Sequence, residues 1–252
     1  MIRILVLLVG LCVLPARAEE VVAGMSQNRI AITANFDGSE ILIFGAVKRE
    51  TPIPSADPLG VIITVAGPSR EITVRRKAKR FGIWVNVDSV EVDEAPSFYA
   101  VATSAPMNQI LADIEDLRYK VSIPRAIRSV GAPMNVKDAV SFTDALIRIR
   151  IANNLYQMLE GQVELSQETL FDTSIILPAN LTEGEYQARI FLTRSGRVVD
   201  EYRTRIGVHK VGLEQWIYAL AHEQPLIYGL MSLFIAIAAG WGASAVFRYF
   251  RA

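Results

Sequence analysis

The stretch FDTSIILPANLTEGEYQARIFLTRSGRVVDEYRTRIGV, residues 171–208, decides the fold class. Phe171, Thr173, Ile175 and Leu177 recur at every second position, as do Tyr186, Ala188, Ile190 and Leu192, and then Tyr202, Thr204, Ile206 and Val208 after Val198. Successive strand side chains point to opposite faces, so this period predicts strands with one buried face. Ser195-Gly196 supplies a tight turn between the last two. The expectation is a three- or four-stranded antiparallel sheet whose wet face carries Arg189, Arg197, Glu201, Arg203 and Arg205 in cross-strand pairs.

The same reading extends toward the N-terminus. Ile30, Ile32, Ala34 and Phe36 alternate up to Asp37-Gly38, a strand entering a hairpin turn. Ile41 to Val47 is a continuous apolar run between turn signals, which predicts a strand buried on both faces. Thr51 to Pro58 is too proline-rich for either regular element and reads as a loop. Val61–Val65 and Glu71–Arg75, joined by Gly67-Pro68-Ser69, read as a second hairpin, and Gly82–Val87, Ser89–Val92 and Phe98–Thr103 as further short strands. The fold class that follows is mainly β with α: an immunoglobulin-like sandwich over 19–103 and a second β unit over 162–210.

Residues 104–161 connect them. Ser104 and Pro106 open a helix with Ile110, Leu111, Ile114 and Leu117 on one face, and Val121–Val136 reads as connection outside the core. A longer helix runs from a capping box at Ser141 and Asp144 to Gly161, about five turns. Its two apolar stripes, Phe142, Ala145, Leu146, Ile149, Ala152, Tyr156 and Leu159 beside Ile147, Ile151, Leu155 and Met158, predict a buried helix between the β units.

Both ends address a membrane. Arg3, the apolar run Ile4–Leu14 and Ala16-Arg17-Ala18 have the form of a cleaved signal peptide, residues 1–18. Leu226–Phe247 carries no charge over roughly 22 residues, about 33 Å of helix, enough to cross the hydrocarbon layer. Residues 211–224, with Trp216 and Tyr218, read as an interfacial helix, 225–247 as the span and 248–252 as the tail. Arg248 and Arg251 place that tail in the cytoplasm, so the expected location is the inner (plasma) membrane, single-pass, with the N-terminal domain periplasmic. Within the span, Ala236, Gly240 and Ser244 recur at spacing four, as do Ala238 with Gly242 and Ala239 with Ala243, a pattern for close helix packing or simply a bilayer composition.

Removing residues 1–18 lowers Lys plus Arg from 26 to 24 against 26 Asp plus Glu, a net charge near −2, which implies no nucleic acid. It also removes Cys12, the one cysteine, and with it thiolate and disulfide chemistry. His209 and His222 stand 13 residues apart without further ligands, so no metal and no cofactor is expected. Asp88, Glu91, Asp93 and Glu94 lack the turned loop of a calcium site. No paired motif for acid–base work appears, and no catalytic residue is assigned: the chain reads as no enzyme. The densest charge feature is Arg70, Arg75, Arg76, Lys77, Lys79 and Arg80, either a solvated hairpin tip and protected edge or a contact for an anion or partner.

Phe81-Gly82-Ile83-Trp84-Val85-Asn86, Pro96-Ser97-Phe98-Tyr99-Ala100-Val101, Leu177-Pro178-Ala179-Asn180-Leu181 and Pro225-Leu226-Ile227-Tyr228-Gly229-Leu230 with Gly240-Trp241 together resemble the Alph_Pro_TM family of alphaproteobacterial transmembrane proteins. The resemblance covers nearly the whole chain after residue 18. It implies an export signal, an ectodomain and a C-terminal span, and it carries over no catalytic or binding residue. Members are often encoded beside permeases that look like TauE/SafE-type sulfite or sulfonate exporters, which implies an accessory role with a polytopic membrane protein. Two functions follow as expectations: an interaction partner of a transporter or envelope complex, or a periplasmic binding module for a sulfur oxyanion or sulfonate.

Overall fold

The computed structural model describes residues 19–33, 35–49, 58–129 and 138–251. The expected signal peptide, most of the proline-rich loop and residues 130–136 of the connection lie outside them. The described chain divides into two units: one comprises the residues up to Ile30 together with Asp37–Val208, the other Ala31–Phe36 and the residues from His209 on.

The first unit is built on two sheets. β1 (Glu19–Met25), β3 (Gly38–Arg49), β10 (Leu170–Pro178) and β9 (Glu164–Ser166) form an antiparallel sheet in the order β1-β3-β10-β9. The larger sheet has the order β2-β12-β11-β4-β7-β8, from β2 (Arg29–Ile32), β12 (Arg197–Lys210), β11 (Gly184–Arg194), β4 (Leu59–Ala66), β7 (Tyr99–Thr103) and β8 (Tyr156–Leu159). Ile41, Ile43, Phe171, Ile175 and Leu177 of the first sheet and Val61, Ile63, Val65, Ala188, Ile190 and Leu192 of the second are buried, the expected yield of alternating strands. Direct links tie the layers: the Val21 amide donates to Asp200 Oδ2 (2.9 Å) and Gln157 Nε2 to the Ile176 carbonyl (2.9 Å).

The mainly β reading holds, and the strand pairing differs from it. Residues 19–103 and 162–210 do not make separate β units: β3 pairs with β10 and β4 with β11, so strands from both halves share each sheet. The strand from Arg29 ends at Ile32 and joins β12, while β3 takes as its partner β1, a strand not expected from the sequence. β4 and β5 (Ser69–Arg80) are no hairpin either. β5 instead pairs along its length with β6 (Ile83–Pro96), a single long strand where two short ones were expected. β4 and β7 are buried along nearly their whole length because they are central strands covered on both faces.

The second cover is the segment after β7. The helix expected from Ser104 is two short ones, α1 (Met107–Ile110) and α2 (Asp113–Tyr119), because Ser104 is not a cap: its Oγ accepts from the Val61 amide (3.0 Å). α3 (Ile123–Ala126) follows, and Val121, Ile123 and Ile127 are buried, so this part of the supposed connection is core. The Tyr119 ring meets Phe191 edge-on at 5.7 Å, which closes off a face read as wet; on that face Arg203 pairs with Glu201 of its own strand rather than across strands.

α4 (Ala139–Ala152) is shorter than its apolar pattern suggested. Asp138, not Ser141, is the cap, accepting from the Ser141 amide (3.3 Å), and Asn154 turns left-handed (φ 57°) before β8 pairs parallel to β7. Asn tolerates that conformation, and Tyr156 then gains burial and a bond from its hydroxyl to the Pro96 carbonyl (2.8 Å). The helix is not buried all round: Phe142 and Leu146 are buried, whereas Ile149 and Ile151 are half exposed.

In the second unit the Val211 amide donates to the Ile32 carbonyl (2.9 Å). α5 (Leu213–Glu223) exposes Trp216 and Tyr218, with Tyr218 stacked on His222 at 4.0 Å. α6 (Pro225–Arg251) contains the chain's candidate membrane span, Pro225–Ser244, with mean hydropathy 1.8.

Candidate functional site

The basic series falls on the β5–β6 hairpin, where it divides into three. Arg70 sits at the base opposite Ala95, and ten residues of strand separate it from Arg80, roughly 33 Å. Arg76 is already engaged: its Nε and Nη2 donate to Asp88 Oδ2 (3.0 and 2.8 Å) and its guanidinium lies 4.8 Å from the Phe142 ring centroid. Arg75, Lys77, Lys79 and Arg80 project from the outer half. No single small anion spans that set.

The base of the hairpin has the opposite charge. Glu71, Glu91, Asp93 and Glu94 are exposed there, and a hydrogen bond with Glu91, with repulsion from Glu91 and Asp93, raises the Glu71 carboxyl above its ordinary value. Asp88 is held by Arg76, which sets it apart from the rest of the acidic series Glu91, Asp93 and Glu94. Among the described residues, no group of three His, Cys, Asp or Glu side chains is placed to hold a metal.

Two features were not anticipated. The first is a cleft of about 480 Å³ lined by Lys120, Arg125, Arg128 and Arg189, with Ser69, Gln187 and Glu94. Arg189 is fixed as its wall: Nη1 donates to the Tyr119 carbonyl (2.8 Å), and Nη2 to the Tyr99 hydroxyl (3.2 Å) and the Lys120 carbonyl (3.1 Å). The cations are scattered in sequence, so no charge run announced them.

The second is the outer face of the β1-β3-β10 sheet. Register places Val22 and Leu170 opposite Ala46, Gly24 opposite Phe44 and Ile176 opposite Glu40, all on the face that also carries Leu42. Leu42 and Phe44 belong to the run expected to be buried, yet they are 42% and 45% exposed, beside Val22 (55%), Leu170 (59%) and Ile176 (65%). The Phe44 ring lies across Gly24, where an added Cβ would come within 3.1 Å of it.

In α6, Ala236, Gly240 and Ser244 follow one line of the helix and Ala238 with Gly242 another, turned from it by roughly 160°. Nothing lies within 4 Å of a Cβ built at Gly240 or Gly242.

The family described as "Putative transmembrane protein (Alph_Pro_TM)" matches residues 20–249. No curated protein matches the chain.

Proposed function

Because the chain belongs to the Alph_Pro_TM family of transmembrane proteins, we propose that it is a membrane-anchored interaction protein: a β-rich periplasmic portion, held in the inner membrane by α6 with the C-terminus cytoplasmic, that docks onto a polytopic membrane protein such as a TauE/SafE-like permease or an envelope complex. On this reading the chain catalyses no reaction. The observation that carries it is the uncovered face around Leu42 and Phe44. A strand run apolar enough to be read as buried leaves Leu42 and Phe44 exposed, with Val22, Leu170 and Ile176 exposed on the same face, and exposed apolar surface of this kind marks interaction sites. Photo-cross-linking residues placed at positions 42, 44 and 176 of the full chain in native membranes test it. The expected adduct is with a polytopic protein, and it disappears in Phe44→Lys with the thermal transition unchanged. Absence of adducts from all three positions overturns the reading.

The cationic cleft favours a second reading, a module that captures a sulfur oxyanion or sulfonate for such a permease. Lys120, Arg125 and Arg128 around the fixed Arg189 guanidinium suit a small oxyanion far better than the extended hairpin series does. A ligand that binds only the native state raises the thermal midpoint. Sulfite, sulfate, methanesulfonate and phosphate should be compared on the wild type and on Arg125→Gln/Arg128→Gln; equal shifts in both proteins exclude the cleft.

A further inference from the structure

We propose that the outer end of the β5–β6 hairpin docks onto an anionic phospholipid surface, independently of the sheet face and the cleft. The base of the hairpin is anchored: Val90 and Phe142 are buried together with Val74 packed on them, and the Arg76–Asp88 pair closes that contact. Beyond it, from Lys77 to Asn86, β5 and β6 pair only with each other among the described residues. A two-stranded ribbon without a covering layer is marginal in water, so an outer half of this length calls for something to lean on.

Its side chains indicate what. Phe81 at the turn is fully exposed, Ile83 is 65% and Trp84 67% exposed. Arg75, Lys77, Lys79 and Arg80 lead up to them along β5, and no acidic residue occurs between Arg75 and Val87. Register sets Lys79 opposite Trp84 and Arg80 opposite Ile83, so each face of the ribbon carries a cation beside an apolar group. The apolar groups crown a projecting end instead of forming a flat patch, with a β5 cation beside them on each face. That arrangement lets Phe81, Ile83 and Trp84 enter the headgroup boundary while the long basic side chains reach phosphates.

The turn adds a further indication. Phe81 holds φ at 49° and Gly82 at 85°, the left-handed pair of a two-residue hairpin turn that favours Asn-Gly. A phenylalanine there is strained, and strain retained at an exposed tip points to a use for the ring. The same chain carries the candidate span Pro225–Ser244, so a bilayer is tethered to the hairpin rather than met by diffusion.

The test uses the full chain with Trp216→Phe and Trp241→Phe, which leaves Trp84 as the one tryptophan. It is reconstituted into vesicles of phosphatidylcholine alone and of phosphatidylcholine with phosphatidylglycerol, with brominated acyl chains as quencher. The expected result is a blue-shifted Trp84 emission and several-fold stronger quenching in the anionic vesicles, reversed by high salt. The quenching is lost in Arg75→Gln/Lys77→Gln/Lys79→Gln/Arg80→Gln and in Phe81→Asn, whose turn suits its new residue better and whose folding is therefore secure. Equal iodide access to Trp84 in both vesicle types overturns the proposal, as does quenching that survives loss of the four cations. Burial of Trp84 only in native membranes, and there only beside a cross-linked protein, assigns the tip to an acidic protein partner and likewise overturns it.

Discussion

Glu19 and Arg194, 175 residues apart in the chain, form a two-point ion pair: Nε meets Oε2 at 2.9 Å and Nη2 meets Oε1 at 2.8 Å. Arg49 donates to the same carboxylate through Nε (2.7 Å) and to the Glu168 carbonyl, and Arg194 also reaches Glu168 Oε2 (3.3 Å). The pair thus ties β1 to β11, one sheet to the other, in a site where Glu19 is 7% exposed.

Removing that carboxylate leaves two guanidiniums in a nearly buried site without their shared partner. Glu19→Gln should therefore destabilise the β unit by roughly 3 kcal/mol, as broken buried pairs do. The Arg194 hydrogen bond, reinforced by Arg49 and opposed by burial, holds the Glu19 carboxyl below 4.5. A lowered carboxyl adds stability that is present above its unfolded value and lost as pH falls through the folded one. Wild-type stability should drop on acidification below about pH 4.5 more steeply than that of Glu19→Gln, read by denaturant titration across pH. Parallel curves would mean the pair contributes little.

Alkaline titration addresses the other side of the core. Burial raises Tyr99, Tyr156 and Tyr186 above their ordinary value of 10, Tyr156 to about 12. Their neutral forms donate to carbonyls, Tyr99 to Val121 (2.8 Å), Tyr156 to Pro96 (2.8 Å) and Tyr186 to Thr182 (2.8 Å). A group that holds its proton more tightly when folded contributes stability that is fully present below pH 10 and lost as pH rises toward 12. These three should ionise above their ordinary value in a near-ultraviolet titration, and Tyr156→Phe should shift alkaline unfolding upward. Ionisation of these three near their ordinary value would contradict the burial.

How much of this was legible in the sequence depended on the range of the interactions. Alternation in β10, β11 and β12 and the uncharged run of α6 were readable because each is a property of one segment. Pairing was not: nothing local to Ile41–Val47 says that β3 accepts β1 and β10, and a run with apolar residues on both faces predicts full burial even where one face is left exposed among the described residues. The stop of α4 did carry a signal, Asn153-Asn154, which the apolar stripe running on through Tyr156 outweighed. For the candidate sites, the hairpin cations were visible as a run, whereas Arg125, Arg128 and Arg189 line one cleft only because the chain after β7 returns to β11, where Arg189 bonds the Tyr119 and Lys120 carbonyls.

The hairpin turn separates stability from use. Phe81 pays a steric cost for its left-handed backbone that Asn bears more easily, so Phe81→Asn should stabilise the β unit by about 0.5 kcal/mol or more. Gly82→Ala should do the reverse by roughly 1 kcal/mol, since φ there is 85°. Both are measured by thermal or denaturant unfolding. A destabilised Phe81→Asn would show that the ring packs on the protein itself.

The span offers a comparison with an internal control. Gly240 and Gly242 stand two residues apart, so their faces of α6 diverge by roughly 160° and one neighbouring helix does not pack closely on both. Gly240 shares its face with Ala236 and Ser244, a run of three small residues, whereas Gly242 has Ala238. In lipid the hydrophobic effect scarcely favours helix association, so close backbone approach over small residues carries much of it. Gly240→Leu should weaken association with a partner span, or between copies, by roughly 1 kcal/mol while leaving insertion intact, because leucine suits the bilayer. Gly242→Leu should have the smaller effect. Cross-linking in membranes with graded expression measures both, and equal losses would place the contact elsewhere on the helix, while no loss in either reduces α6 to an anchor.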